Sequence, residues 1–525
     1  MLPEAEAAAG PQESPRSALL FALIFTSLLV LHAPLLRLPY FWDEAGYFVP
    51  AARDLLLIGD PIPQSTLSNA HPPLVMAWLA LCWKLAGYAP AVTRTAMLVM
   101  AAFALLGVYR LALQVCWKRD VAVAATACVA LYPVFFLQSA MAHLDVAAAA
   151  FTIWGLSFFL RGRAAGATVM FALAALAKET AILTPLALVG WELVARWRDW
   201  PSWPDFSETE GGCNRDFRFL WLLLAVAPLA AWFGYHWMRT GHVFGNPEYL
   251  RYNVAATLDP ERILLAALRR LWQTVGHMNL FVLTAAAGLA MGHAPLREGE
   301  SLRRRISFPV QRVFAVVIGA HVMLFSALGG APLARYLLPA LPLVVILCVS
   351  TLHRRVQRWR MVVGAACLAF VMAWFVHPPW PFAPEDNLAW RDYVLLHQRA
   401  ADFVSRHYAQ SRVLTAWPAT DELSKPYLGY VAAPLRVVPV ENFSRNHAGK
   451  SAEGERSYDV ILAFSTKYQP SFNLLNRMPA WEGLESRFFG YHRDLTPDES
   501  ARLFRGRVVF SEQRQGQWVA VVETE

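Results

Sequence analysis

A chain of 525 residues in which 56% are hydrophobic and only 16% charged cannot cover a soluble globule with polar groups, so it reads as a polytopic α-helical membrane protein. Its formal net charge of +8 is gathered in short basic clusters between apolar runs, the pattern of cytoplasmic loops and not of a nucleic-acid partner. Six cysteines, at 82, 116, 128, 213, 348 and 367, include no CxxC pair, which implies neither a zinc site nor a disulfide framework.

The opening "MLPEAEAAAGPQESPRSALL" lacks the cationic region and small-residue cleavage site of a signal peptide. Residues 1–16 are therefore expected to be a cytoplasmic tail leading into a retained first span. At roughly 20 apolar residues per crossing, about eleven spans are expected. They fall at 17–38, 92–116, 121–138, 146–160, 165–180, 181–195, 219–238, 275–293, 310–328, 335–351 and 361–376. The clusters "WKRD" at 117, "RGR" at 161, "RWRDW" at 196, "REGESLRRR" at 297 and "HRRVQRWR" at 353 occupy alternate loops, which puts the amino terminus inside and the carboxyl terminus outside.

That orientation makes residues 39–91 an external loop within the membrane domain, 17–376. Its apolar stretch "PPLVMAWLALCWKLAG" is short and bounded by proline, so the loop is expected to carry two helices lying along the outer membrane surface. Past Val376 the Pro-rich "HPPWPFAPEDNLAW" opens a soluble extracytoplasmic α/β domain, 377–525. "WRDYVLLHQRAADFVSRHY" has helical periodicity, while "RVLTAW", "LRVVPV" and "YDVILAF" read as buried strands. "RVVFSEQ" and "QWVAVVE" flank "RQG" as a closing hairpin, and the sheet is expected to be partly parallel.

Ionisable groups near membrane spans are costly and mark function by default. On the topology above, Asp43, Glu44, His71, His143, Asp145, Lys178, Glu179, Arg335 and Tyr336 converge on the outer rim from five separate stretches. Carboxylates mixed with cations suit transfer at a phosphate-bearing substrate: an acid takes the proton of an attacking hydroxyl, and a cation stabilises the departing phosphate. Each residue also has a plainer role open to it. Asp43 and Asp145 stand where they could cap helices, with Glu44 a first-turn charge. Lys178 and Arg335 could snorkel to an interface, His71 could serve only a turn, and His143 could be a satisfied interfacial histidine. Trp417 in "TAWPAT" could stack on a sugar or fill the core.

"WDEAGY", "HPPL", "AHLDVAAAAF", "LAKETAILTP" and "RYLLPALP", in that order from about residue 17 to 345, resemble the membrane-embedded type C glycosyltransferases of family 39. These are the protein O-mannosyltransferase and lipid A aminoarabinose transferase kind. The resemblance implies the type C glycosyltransferase fold, a polyprenyl-phosphate sugar as donor, and a bacterial inner membrane as location. Carried across, Asp43 matches the catalytic acid, with Glu44 beside it. His71, Lys178, Arg335 and Tyr336 match donor-phosphate positions, and Asp145, His143 and Glu179 support them. Two departures stand out. Gly46 lies where some aminoarabinose-branch members carry Arg, and His71 replaces a Lys.

The expected activity is inverting transfer of a hexosyl or pentosyl group to an acceptor hydroxyl on a glycan, lipid or protein. No cofactor is required by the sequence; a divalent ion, Mg2+ or Mn2+, could bridge carboxylate and phosphate, without a visible cage of ligands. The competing expectation is a transporter or flippase, which should show internal repeats and charges near the bilayer midplane. A third is an inactive sensor that binds a ligand through its external domain.

Overall fold

The computed structural model describes residues 13–198, 200, 218–254, 259–453, 457–466, 468 and 478–524. The expected tail up to residue 12, Cys213 and part of the basic stretch at 196 lie outside them.

The apolar runs fold as helices whose ends follow proline and glycine. α1 (Glu13–His32) gives way to a 3-10 turn, Ala33–Leu35, because Pro34 cannot continue the hydrogen-bond ladder, so the helix stops short of the expected 38. A π-turn, Glu44–Phe48, feeds α2 (Val49–Ile58), which Gly59 closes at φ 77°. α3 (Leu74–Ala86) follows, and these two helices, of 10 and 13 residues, are shorter than a crossing requires.

α4 (Pro90–Cys116) is the longest helix described, at 27 residues. Pro133 divides the expected 121–138 span into α5 (Arg119–Leu131) and α6 (Pro133–Gln138). α7 (Asp145–Phe159) and α8 (Ala164–Ala177) form a hairpin, and the 3-10 turn Glu179–Ile182 leads to α9 (Leu183–Trp197). α10 (Arg218–Leu224) and α11 (Val226–Thr240) make the next apolar rod.

Two helices were not expected from the sequence: α12 (Pro247–Val254) and α13 (Pro260–Val275). As a result the expected 275–293 span shrinks to α14 (Leu280–Ala290), cut off from α13 by left-handed Met278 and Asn279. A small hairpin, β1 (Arg297–Glu298) with β2 (Ser301–Leu302), precedes α15 (Phe308–Ala327). The 3-10 turn Ala334–Leu337, α16 (Leu341–Arg355) and α17 (Trp359–Phe375) complete the helical part. Four segments are long and apolar enough to cross a bilayer: Arg16–Leu35, Pro90–Cys116, Leu220–Thr240 and Phe308–Ala327. The other expected spans are shorter apolar helices or pieces joined at breaks, and the chain is embedded in a membrane through this assembly.

The carboxy-terminal part is an α/β unit. α18 (Ala389–His407) covers a sheet that begins with β3 (Arg412–Ala416), α19 (Ala419–Ser424), β4 (Arg436–Val440), α20 (Arg445–Glu453) and β5 (Val460–Phe464). α21 (Pro479–Phe489) and α22 (Pro497–Leu503) precede the hairpin of β6 (Gly506–Arg514) and β7 (Gln517–Thr524). Strand order is β4-β3-β5-β7-β6, parallel across the first three and antiparallel across the last, as the sequence led us to expect. β5 is buried along its whole length, consistent with its unbroken apolar run.

One apolar core runs through α4, α5, α7 and α14 to α17, with Leu105, Leu156, Phe314 and Phe370 in it. A second joins Tyr40, Phe41 and Leu79 of the first loop to Trp390 and Tyr393 of α18 and to Val413, Leu462 and Val521 of the sheet. The α/β unit thus shares its interior with the loop that carries Asp43.

Candidate active site

The loop after α1 is fixed by a buried ion pair. Glu44 is 0% exposed, and Arg94 of α4 reaches its two oxygens at 3.2 and 3.3 Å. The same carboxylate accepts the backbone N–H groups of Phe41, at 2.9 Å, and Ala142, at 2.7 Å. Arg94 spends its remaining hydrogens on the carbonyls of Leu38, Pro39 and Ala140. Glu44, expected as a catalytic partner of Asp43, therefore points into the protein and ties the loop to α4 and to the segment before α7. Its acceptor capacity is used, which leaves it nothing for a substrate.

Asp43 faces the other way, with its side chain 31% exposed. It occupies the position before the π-turn, yet its side chain makes no capping bond; Oδ2 accepts instead from Arg335 Nη2. Arg335 is 4% exposed and gathers three acids. Besides Asp43, Glu385 Oε2 accepts from Nη1 at 2.9 Å, and Asp145 Oδ2 stands 3.5 Å from Nε, an ion pair and not a hydrogen bond. Asp145, at the first position of α7, makes no cap bond either and is held by Lys178 Nζ at 2.6 Å. Lys178 ends α8, is turned inward at 11% exposure, and lies 4.0 Å from the centre of the Tyr336 ring.

His143 is fully buried, with Nδ1 2.7 Å from Gln138 Oε1 and 2.8 Å from Arg335 Nη1. One ring nitrogen cannot donate to the amide and accept from the guanidinium at once, so Gln138 and Arg335 compete for it. Burial, with Arg335 and Lys178 adding to it, holds His143 well below the usual histidine range, hence neutral. His71 Nδ1 pairs with Glu179 Oε2 at 3.0 Å, and its ring touches Phe48 and Tyr249. Phe48 in turn contacts the His143 ring, with centroids 5.8 Å apart, so the second pair lies beside the first. A cavity of about 10 Å³, room for about one water, opens among Asp145, Lys178, His321, Phe325 and Tyr336.

Arg335 is presented by α13, the helix missing from the expectations. Arg262 donates to the carbonyls of Ser326 and Leu328 at the end of α15, at 3.2 and 2.5 Å, where unpaired helix carbonyls favour a cation. Arg270 donates to Leu333 O at 2.6 Å and Gln273 to Pro332 O at 2.7 Å. The 326–334 connection is therefore clamped immediately ahead of Arg335.

Three site residues escaped sequence reasoning. Glu385 sits in the Pro-rich linker, Arg94 is a lone charge in an apolar span, and Asp386 pairs with His277 at 2.9 Å. The signal was available for Arg94, since any charge inside a span needs a partner. Trp417 is 41% exposed, with its ring packed over Gly46 and edge-on to Trp42 at 5.3 Å. An added Cβ at Gly46 would lie 2.4 Å from that ring, which explains why a large residue has no room there. Among the described residues no three His, Cys, Asp or Glu are grouped as a metal ion would need.

No family model matches the sequence, and no curated protein matches it. Solved structures do. The chain is similar to ArnT from Cupriavidus metallidurans bound to undecaprenyl phosphate, at 12% identity and a TM-score of 0.56, over 96% of this chain and 97% of that one. It is similar to the apo state of the same protein at 15% identity and a TM-score of 0.54, over 97% and 98%. The fold is the type C glycosyltransferase fold that the motifs led us to expect.

Proposed function

We propose that the chain transfers a sugar, with inversion, from a polyprenyl-phosphate donor to an acceptor hydroxyl at the outer face of a bacterial inner membrane. The observation that carries this reading is the division of labour around Arg335: one accessible carboxylate, Asp43, beside two cations, Arg335 and Lys178, that are mostly shielded from water. That the similarly folded ArnT was solved with undecaprenyl phosphate supports a lipid phosphate as ligand.

In the free protein Arg335 is bound to Asp43, which lowers the basicity of that carboxylate. A donor phosphate arriving between Arg335 and Lys178 takes over the guanidinium and releases Asp43. The freed carboxylate accepts the acceptor's hydroxyl proton as its oxygen attacks the anomeric carbon. The bond from that carbon to the phosphate oxygen breaks, and the phosphate leaves with its new charge on Lys178 and Arg335. His71, oriented by Glu179, flanks the phosphate. A single displacement inverts the centre and needs no covalent intermediate. The acceptor can be a glycan, a lipid or a protein hydroxyl, and the amino terminus lies on the cytoplasmic side.

Comparing lipid-linked sugars and envelope glycans by mass spectrometry in cells carrying wild type or Asp43→Asn tests this. Accumulated donor and missing product are expected with the variant; identical profiles refute the proposal.

A further inference from the structure

Acids outnumber cations at the centre of the site. Asp43, Asp145 and Glu385 converge on Arg335, while Lys178 adds the second positive charge and buried His143 adds none. Glu385 differs from the other two acids. It comes from the 3-10 turn Pro384–Asp386, is 5% exposed, and uses one oxygen on Arg335 while Oε1 has no partner. The turn cannot easily swing away. Asp386 is anchored on His277, its N–H donates to Ala383 O at 2.9 Å, and Leu388 N–H donates to Trp374 O at 3.1 Å.

We propose that Glu385 is a positioning residue for the anion site: its carboxyl fixes the Arg335 guanidinium, and its proton sets how much positive charge Arg335 and Lys178 offer to a lipid phosphate. This rests on the reading that the cluster binds such a phosphate. With Glu385 protonated, Asp43 and Asp145 balance Arg335 and Lys178. With Glu385 ionised the set carries one excess negative charge, which opposes an incoming anion. Binding the phosphate and keeping the proton on Glu385 therefore favour each other.

Burial pushes the Glu385 carboxyl up to about 8; Arg335 opposes that rise, and Asp43, Asp386 and Asp145 add to it. Of the elements packed on the turn, α6 brings no titratable side chain, only Gln138, while α18 brings Arg391, Asp392 and Tyr393 near its start. Asp392 is paired with Arg391 at 3.2 Å and with Arg514 at 3.8 Å. The affinity change accordingly falls between pH 7 and 9, above the second ionisation of a phosphate monoester at about 6.

The test is the affinity of the full-length protein in detergent micelles for undecaprenyl phosphate, measured from pH 6.5 to 9.5 for wild type and Glu385→Gln. Wild type should weaken about tenfold between pH 7 and 9, the loss expected when only the protonated form binds well. Glu385→Gln should hold its pH 7 affinity throughout. Calorimetry in two buffers of different ionisation enthalpy should show proton uptake on binding to wild type at pH 8.5. This arm needs no variant to fold. Parallel pH profiles for the two proteins, or no proton uptake by wild type, overturn the role of Glu385. An absence of wild-type binding at every pH overturns the lipid-phosphate reading itself, a distinguishable failure.

Discussion

Replacing Glu44 by Ala separates a structural acid from a catalytic one. The substitution leaves Arg94 buried without its counter-ion and orphans the N–H groups of Phe41 and Ala142. Breaking a buried ion pair from one side costs about 3–5 kcal/mol, and each buried amide left unpaired costs about 1–3 kcal/mol. These terms overlap, because Arg94 keeps its bonds to Leu38, Pro39 and Ala140, so a loss of about 4–6 kcal/mol is expected. That is comparable to the whole stability of many domains. The expected outcome is poor recovery of folded protein and a much lower midpoint in thermal unfolding of the full chain in detergent. Pairing Glu44→Gln with Arg94→Met should cost less than the sum of the two single changes, since neither charge is then left alone. A Glu44→Ala protein as stable as wild type but inactive would refute this reasoning and return Glu44 to the chemistry.

Asp43→Asn should keep wild-type unfolding behaviour, because its side chain is partly solvated, and lower sugar transfer in proteoliposomes about 100-fold or more, the usual weight of a general base. Arg262→Ala should free the segment ahead of Arg335: transfer falls and hydrogen exchange at residues 326–334 quickens, although the substitution lies outside the charged cluster. Gly46→Ala should destabilise by about 1–3 kcal/mol through the Trp417 ring, and adding Trp417→Ala should recover part of the loss in the same unfolding assay. The raised Glu385 group makes the folded state hold a proton that the unfolded state releases, so its stabilising contribution is complete below about 4.5 and fades as pH rises through about 8. Thermal unfolding midpoints across that window should therefore drop more for wild type than for Glu385→Gln.

What could be read in the sequence follows from how local each signal is. β5 and the β6–β7 hairpin were legible because an apolar run and a Gly turn announce themselves within a few residues. Asp43, Asp145, Lys178 and Arg335 were legible because charges beside long apolar runs stand out. α13 was not, since Arg262, Arg269 and Arg270 give it the look of a polar loop, when two of them are buried against the end of α15. Nor could the opposed directions of Asp43 and Glu44 be read: neighbours in a turn point apart, and only Arg94, fifty positions later, decides which one is drawn inward. Glu385 was hidden by its setting, because a Pro-rich linker gives no reason to expect a buried acid.

Trp390 and Tyr393 stand in the same cluster as Phe41, and Trp417 lies on Gly46. A split of the gene between positions 376 and 389 would thus strip the roof from the transfer centre as well as removing a tail. Chimaeras that exchange the carboxy-terminal unit should work only when the opening loop travels with it.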